Sequence, residues 1–212
     1  MNGTMNSVVP YDTMKSMQVR NENDLPPHIT YEQFKIIYDN LTGIDQLLWG
    51  LLWETGGRIS AVLSIKWNDI NNMKKELKLL VQKKKTHTTI QIPLSNAIFS
   101  DLRNYQVAYK PQGDGYIFDT AVYNREKSKI GRLTRQGAWA KVQKWGNQYL
   151  NIDSIHPHML RHGLAIYLLS QNVPLVVISS RLGHSNVFIT SNTYLVITPE
   201  LQRQLTSHVQ WR

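Results

Sequence analysis

Two histidines, an arginine and a tyrosine recur at short, ordered spacings late in the chain. The stretch reads His156-Pro157-His158-Met159-Leu160-Arg161-His162, then an apolar run, then Leu182-Gly183-His184, then Tyr194. A planar guanidinium suits a phosphate. An imidazole exchanges protons near neutrality, and a tyrosine hydroxyl can act as a nucleophile. Together these groups point to a nuclease-like transesterification on DNA.

Taken singly, each residue also has an ordinary use. His158 and Arg161 lie three apart on a predicted helix and share a face, where either could also cap or pair locally. His158 and His162 have the i, i+4 spacing of zinc helices. The sequence HMLRH has no acid after the first histidine, and Arg161 would repel a cation, which argues against a metal there. His184 follows Leu182-Gly183, a helix stop that projects it from a chain reversal, and it also suits a structural histidine. Tyr194 in SNTYLV suits a core position, Arg58 a helix cap, and Lys85 a solvated turn. Only their joint order sets them above these ordinary uses.

The elements that must position them follow from local pattern. Residues 1–29 are polar and irregular, with Pro26-Pro27, and predict a flexible arm. Thr30 with Gln33 has the form of a capping box, and Phe34, Ile37 and Tyr38 continue a helical stripe. A second helix is predicted over Asp45–Glu54, broken by Gly56-Gly57. Arg58 opens a third, with Ile59, Val62, Leu63 and Trp67 at core spacing. The period then changes to that of strands at 77–82 and 90–94, joined by a lysine-rich hairpin turn, Lys83-Lys84-Lys85-Thr86. Helices are predicted at 95–109 and 134–149, with a basic, loop-rich segment at 111–133 between them. Another runs from 157 to 171, one begins at Pro174 and ends near Gly183, and a last one covers 198–208. The fold class is mainly α with a small antiparallel β-sheet or hairpin, in one domain over 30–212.

Composition narrows the partners. The 212 residues suffice for one sizeable core, and no apolar run is long enough to span a membrane. The N-terminus lacks the basic-then-apolar layout of a signal peptide. The absence of cysteine excludes disulfides and thiolate metal sites and fits the cytosol. The formal net charge is +9, and it is uneven. Residues 125–212 hold 11 basic and 3 acidic side chains, against 13 and 12 in residues 1–124. The candidate site thus sits in the basic part, whose field attracts a polyanion in a salt-sensitive way. Such charge also suits a merely soluble basic surface.

The joint order resembles that of the tyrosine recombinases, also called phage-type integrases. The residues that carry the resemblance are Thr55-Gly56-Gly57-Arg58-Ile59-Ser60, Lys85-Thr86 eight residues before Pro93-Leu94, His156 to His162, Leu182-Gly183-His184-Ser185, and Tyr194. They cover about residues 30–205 and imply the tyrosine recombinase catalytic-domain fold. The resemblance implies that Tyr194 attacks the scissile phosphate and forms a 3′-phosphotyrosyl link. Arg58 and Arg161 would bind the non-bridging oxygens, and His184 would hydrogen-bond the phosphate. His158 would assist proton transfer, and Lys85 would protonate the departing 5′-oxygen. Lys83 and Lys84 would touch the DNA backbone as point charges. No cofactor, metal or ATP is implied.

This division of labour suits the chemistry. A phosphodiester repels nucleophiles, and donors aimed at the developing charge contribute about 3–4 kcal/mol each. Tyrosine, with a pKa of about 10, needs a base or nearby positive charge to attack at neutral pH. The alkoxide leaving group needs a proton, and a positioned acid contributes about 10²–10⁴-fold. The covalent link keeps the ester's energy, so rejoining needs only attack by a 5′-hydroxyl.

Two departures from the family pattern stand out. The acidic residue usual three positions after the first arginine is Ala61 here, with Glu54 and Asp69 as candidate substitutes. Gly163 stands where a small hydroxyl residue is usual. Relatives mostly carry a separate N-terminal DNA-binding domain. Here 29 residues precede the first helix, as expected of a minimal recombinase like the fimbrial invertases or of a catalytic fragment. The expected activity is site-specific DNA recombination (integration, excision, inversion or resolution) on a mobile genetic element. Expected partners are double-stranded DNA target sites, a homo-oligomer, notably a tetramer, and accessory DNA-bending or directionality factors. The expected location is the cytoplasm, at the nucleoid or in a phage's host. The alternatives are a type IB topoisomerase-like relaxing enzyme, a DNA-binding regulator that has lost turnover and, more distantly, a histidine-metal hydrolase.

Overall fold

A computed structural model of the chain describes residues 25–82, 87–109, 114–119, 132–184 and 186–194. Helix α1 spans Tyr31–Asn40. The Thr30 hydroxyl accepts from the Gln33 amide at 3.2 Å, and the Gln33 side chain accepts from the Thr30 amide at 3.0 Å, forming the capping box read from the sequence. Helix α2, Gly43–Thr55, buries residues on nearly every side, including Leu47, Leu48, Trp49, Leu51 and Leu52. A helix apolar all round belongs at the centre of a core. Accordingly, α2 packs against α1, the short α3 (Ile59–Leu63), α4 (Asn96–Tyr109) and α6 (Pro157–Ser170). The buried Trp49 indole donates to the Phe34 carbonyl at 3.0 Å, so its polar edge is satisfied inside the core.

A 3₁₀ turn, Trp67–Asp69, leads into a three-stranded antiparallel sheet of order β1-β2-β3. Its strands are β1 Ile70–Asn71, β2 Glu76–Gln82 and β3 His87–Pro93. In the register Leu77 faces Ile92 and Leu79 faces Ile90. Leu77, Leu79, Val81 and Ile92 are buried, whereas Lys78 and Leu80 point to solvent, the alternation of a half-buried sheet. The sequence reading missed β1, which is too short to show a period. The turn residues 83–86 lie outside the described residues.

Helix α5, Arg135–Leu150, is capped by Thr134, whose hydroxyl accepts from Gly137 at 3.0 Å. Helix α7 is Leu175–Leu182 and α8 is Val187–Tyr194. No helix was expected at 187–194, where Val, Ile and Thr are frequent and the buried residues are Thr190, Ser191 and Tyr194. A polar buried face leaves no apolar stripe to read. The predicted helix at 198–208 lies outside the described residues.

Within the loop-rich segment 111–133, the described residues 114–119 form turns and isolated bridges, Lys66 with Tyr116 and Asp119 with Arg132. Ile117 and Phe118 are fully buried, and the Ile117 amide donates to Ile65 at 3.0 Å, stitching this segment to α3's exit. Just before α1 the chain packs on α6. Ile29 is buried, and its amide donates to the Met159 carbonyl at 3.1 Å. Gly163 permits that crossing, because a Cβ there would lie 2.0 Å from the Ile29 carbonyl oxygen. Any side chain at this position would meet the Ile29 backbone. Among the described residues, no helix is long and apolar enough to cross a membrane.

Candidate active site

The site begins where α2 ends. The buried Thr55 hydroxyl donates to Leu51 at 2.6 Å and accepts from the Gly57 amide at 3.0 Å, closing the helix and shaping the loop. Gly56 has φ +57°, and a Cβ on it would come within 2.9 Å of both Leu182 and Leu164. Backbone conformation and close packing both demand glycine there. Arg58 follows in extended conformation as the exposed cap of α3.

Helix α6 carries the next residues. His156 is its N-cap and Pro157 its first residue, where a missing N–H costs nothing. Arg161 is only 4% exposed. Its Nη1 donates to the Gly56 carbonyl at 2.6 Å, and its Nη2 lies 2.6 Å from His184 Nε2. A guanidinium only donates, so His184 Nε2 accepts and the imidazole proton sits on Nδ1. That Nδ1 faces the buried Thr190 hydroxyl at 2.7 Å. The relay from Arg161 through His184 to Thr190 thus assigns the tautomer.

His184 is placed by the turn after α7. Gly183 has φ +66° and the His184 amide donates to Ser179 at 3.0 Å. A Cβ on Gly183 would lie 2.9 Å from Val81, so the hairpin packs directly against this turn.

Tyr194, the last residue of α8, is 3% exposed. Its hydroxyl lies 2.7 Å from His162 Nδ1. His158, the expected proton partner, is partly solvent-exposed one turn earlier on the same helix, and its ring centroid is 6.4 Å from that of His162. On the other side His156 stacks on Trp139 at 5.5 Å.

The electrostatics are those of a cationic pocket. Burial lowers the Arg161 pKa to about 10; Tyr194 opposes that shift and Arg58 adds to it, leaving the group charged at neutral pH. Burial, then Arg161, Arg58 and His162, push His184 down to about 4. Burial, then His158, Arg161, His156 and His28, push His162 down to about 4. His158 is also lowered, by burial and by Arg161, His156 and Arg58. The Tyr194 phenol is raised by burial, with Arg161 pulling the other way. At neutral pH the charge of the pocket is carried by its arginines, an arrangement suited to an anion.

Arg58, His158, Arg161, His184 and Tyr194 are therefore brought together from α3, α6, the α7 turn and α8. Lys83, Lys84 and Lys85 lie outside the described residues. Sequence reasoning missed three contributors. His162 was visible only as a letter of the LRH motif, and Thr190 carried no signal. The third, Arg181, donates through Nε and Nη2 to the Glu54 carbonyl at 3.0 and 2.6 Å, and pairs with the Glu54 carboxylate at 3.5 Å. Both candidate substitutes for the acid at position 61 have partners other than Arg58. Glu54 is held by Arg181 and by the Ser95 amide at 2.8 Å, while Asp69 accepts from the Lys66 amide at 2.9 Å. Among the described residues, no group of three or more His, Asp or Glu side chains could hold a metal ion.

The sequence model of the phage integrase family matches residues 28–200. Tyrosine recombinase XerA of Pyrococcus horikoshii is 29% identical over 185 residues, which are 85% of this chain and 61% of that protein. The chain spans about half to two-thirds of the length of the curated relatives it matches. The crystal structure of XerA recombinase superposes with a TM-score of 0.69 at 16% identity, covering 89% of this chain and 67% of that one. The XerH site-specific recombinase bound to difH substrate in a pre-cleavage complex gives 0.67 at 19% identity, covering 89% and 56%. Likeness at such identities shows a shared fold.

Proposed function

The chain belongs to the phage integrase family, and from that premise we propose that it is a site-specific DNA recombinase. It cleaves and rejoins DNA through a 3′-phosphotyrosyl intermediate. The observation that carries this reading is the buried Arg161, fixed between the Gly56 carbonyl and His184, with the Tyr194 hydroxyl on the adjacent His162.

In this mechanism the scissile phosphate enters between Arg58 and Arg161, whose guanidinium groups offset charge on the non-bridging oxygens. His184 holds the Arg161 guanidinium in place through Nε2 from its turn, and the exposed His158 donates to the phosphate. The Tyr194 oxygen attacks phosphorus, and the bond to the 5′-oxygen breaks. Lys85 gives that oxygen its proton, while Lys83 and Lys84 hold the neighbouring backbone as point charges. A 5′-hydroxyl from a partner strand then attacks the phosphotyrosine and tyrosine leaves, without ATP. The protein acts on double-stranded DNA in the cytoplasm as a homo-oligomer, a tetramer at the synapsed sites, with accessory factors setting direction.

Incubating the protein and a Tyr194→Phe variant with a nicked suicide substrate in EDTA, followed by denaturing gels, tests the reading. A covalent protein–DNA adduct that vanishes in the variant is expected. Specific binding to that DNA without any adduct would overturn the enzyme reading in favour of a binding-only regulator. Relaxation of supercoils without exchange between sites would favour a topoisomerase.

A further inference from the structure

The Tyr194 phenol meets a base that the motif order does not assign. Its hydroxyl lies 2.7 Å from Nδ1 of His162, and the two rings are 5.5 Å apart. We infer that His162 takes the phenol proton as Tyr194 attacks and returns it on rejoining. This rests on the strand-exchange reading above.

The direction of the hydrogen bond follows from what surrounds the phenol. Tyr194 is nearly fully buried, and burial keeps it neutral, so its O–H needs an acceptor. Among the described residues that acceptor is His162 Nδ1. The imidazole therefore keeps its proton on Nε2 and presents a lone pair to the phenol. His184 cannot do this, since its two nitrogens already meet Arg161 and Thr190. His158 is partly solvent-exposed on the adjacent turn of the same helix.

The groups acting on His162 are Tyr194 from α8, His184 from the α7 turn, and, among those holding its imidazolium down, His158, Arg161 and His156 from α6 and His28 from the segment before α1. All of these except Tyr194 carry or can acquire positive charge and disfavour an imidazolium. A phosphodiester held by Arg161 brings the opposite charge beside His162 and favours protonation there. The base thus strengthens when substrate is in place. In the forward step the Tyr194 O–H bond breaks and its proton moves to His162 Nδ1. The freed electron pair forms the bond to phosphorus as the bond to the 5′-oxygen breaks, and that oxygen takes its proton from Lys85. In rejoining, the His162 imidazolium reprotonates the departing Tyr194.

A His162→Gln variant tests this, because a glutamine oxygen can accept a hydrogen bond but cannot hold a proton at these pH values. The suicide-substrate cleavage rate is measured from about pH 6.5 to 8.5, where the wild-type rate is expected to stay flat and the variant to rise about tenfold per unit as the phenol itself ionises. At neutral pH the variant should be slower by about 10²-fold or more. Replacing Tyr194 by a fluorotyrosine of lower pKa should restore the variant far more than it speeds the wild type. In the free protein, nitrogen NMR should show His162 Nδ1 unprotonated and shifted by Tyr194→Phe. An active wild type with an unchanged rate and profile in His162→Gln overturns the inference alone, as does a proton found on Nδ1. A wild type that binds the DNA and forms no adduct overturns the strand-exchange reading, and this step with it.

Discussion

Arg161 Nη1 donates to the carbonyl oxygen of Gly56 over 2.6 Å, so the arginine of α6 holds the loop that presents Arg58. The two residues are 105 positions apart. The same guanidinium reaches His184 through its other nitrogen, and one side chain thereby ties three segments of the site together. A fork with two fixed directions can do this; a point charge cannot.

Arg161→Lys should therefore damage fold and chemistry together. The Gly56 carbonyl and His184 Nε2 lose their donor, and a buried acceptor left unsatisfied costs about 1–3 kcal/mol. Urea unfolding should show a loss of that order. Adduct formation, measured where the variant is still folded, should fall by about 10²-fold or more because the developing phosphoryl charge loses a donor.

Arg181 and Glu54 should respond unequally. The two short bonds from Arg181 go to the Glu54 backbone carbonyl, and the carboxylate is more distant at 3.5 Å. Glu54→Gln keeps the carbonyl and should cost about 1 kcal/mol or less. Arg181→Met removes both backbone bonds and should cost about 2–3 kcal/mol. Comparison of denaturant midpoints checks the asymmetry. Equal losses would mean that the charge pair, not the backbone contact, is what matters.

Acid should destabilise the domain before its carboxylates titrate. His162 and His184 are both pushed down to about 4 in the folded state, against about 6.5 for an unperturbed histidine. Between those values the unfolded chain binds the protons and the folded chain does not, so stability falls as pH drops from about 6.5 to about 4 and is flat in these groups above that window. Because both rings are partly solvated, the slope should lie well below the limit of about 1.4 kcal/mol per pH unit per group. Thermal midpoints across this range should decline, and His162→Gln with His184→Gln should flatten the decline. An unaltered slope in the double variant would assign acid sensitivity to other groups.

What the sequence determined by itself is local. Thr30 and Gln33 cap α1 reciprocally because both lie within one turn. Gly56-Gly57 ends α2 because a left-handed residue is needed there. Leu77, Leu79, Ile90 and Ile92 alternate because a strand has period two. His158 and Arg161 occupy one helix because Pro157 starts it. The ordered motifs then allowed a family resemblance, and with it the set Arg58, His158, Arg161, His184 and Tyr194. Tertiary structure decided which of these touch. The hydrogen bonds between His162 and Tyr194, Arg161 and Gly56, and Arg181 and Glu54 join residues 32, 105 and 127 positions apart. No period or cap encodes such pairs. They exist because the apolar α2 must be surrounded, and the elements that surround it carry their polar ends to a common edge. Ile117, Phe118 and α8 were illegible for the same reason. Their burial is set by the surfaces that meet them and not by any repeat in their own residues.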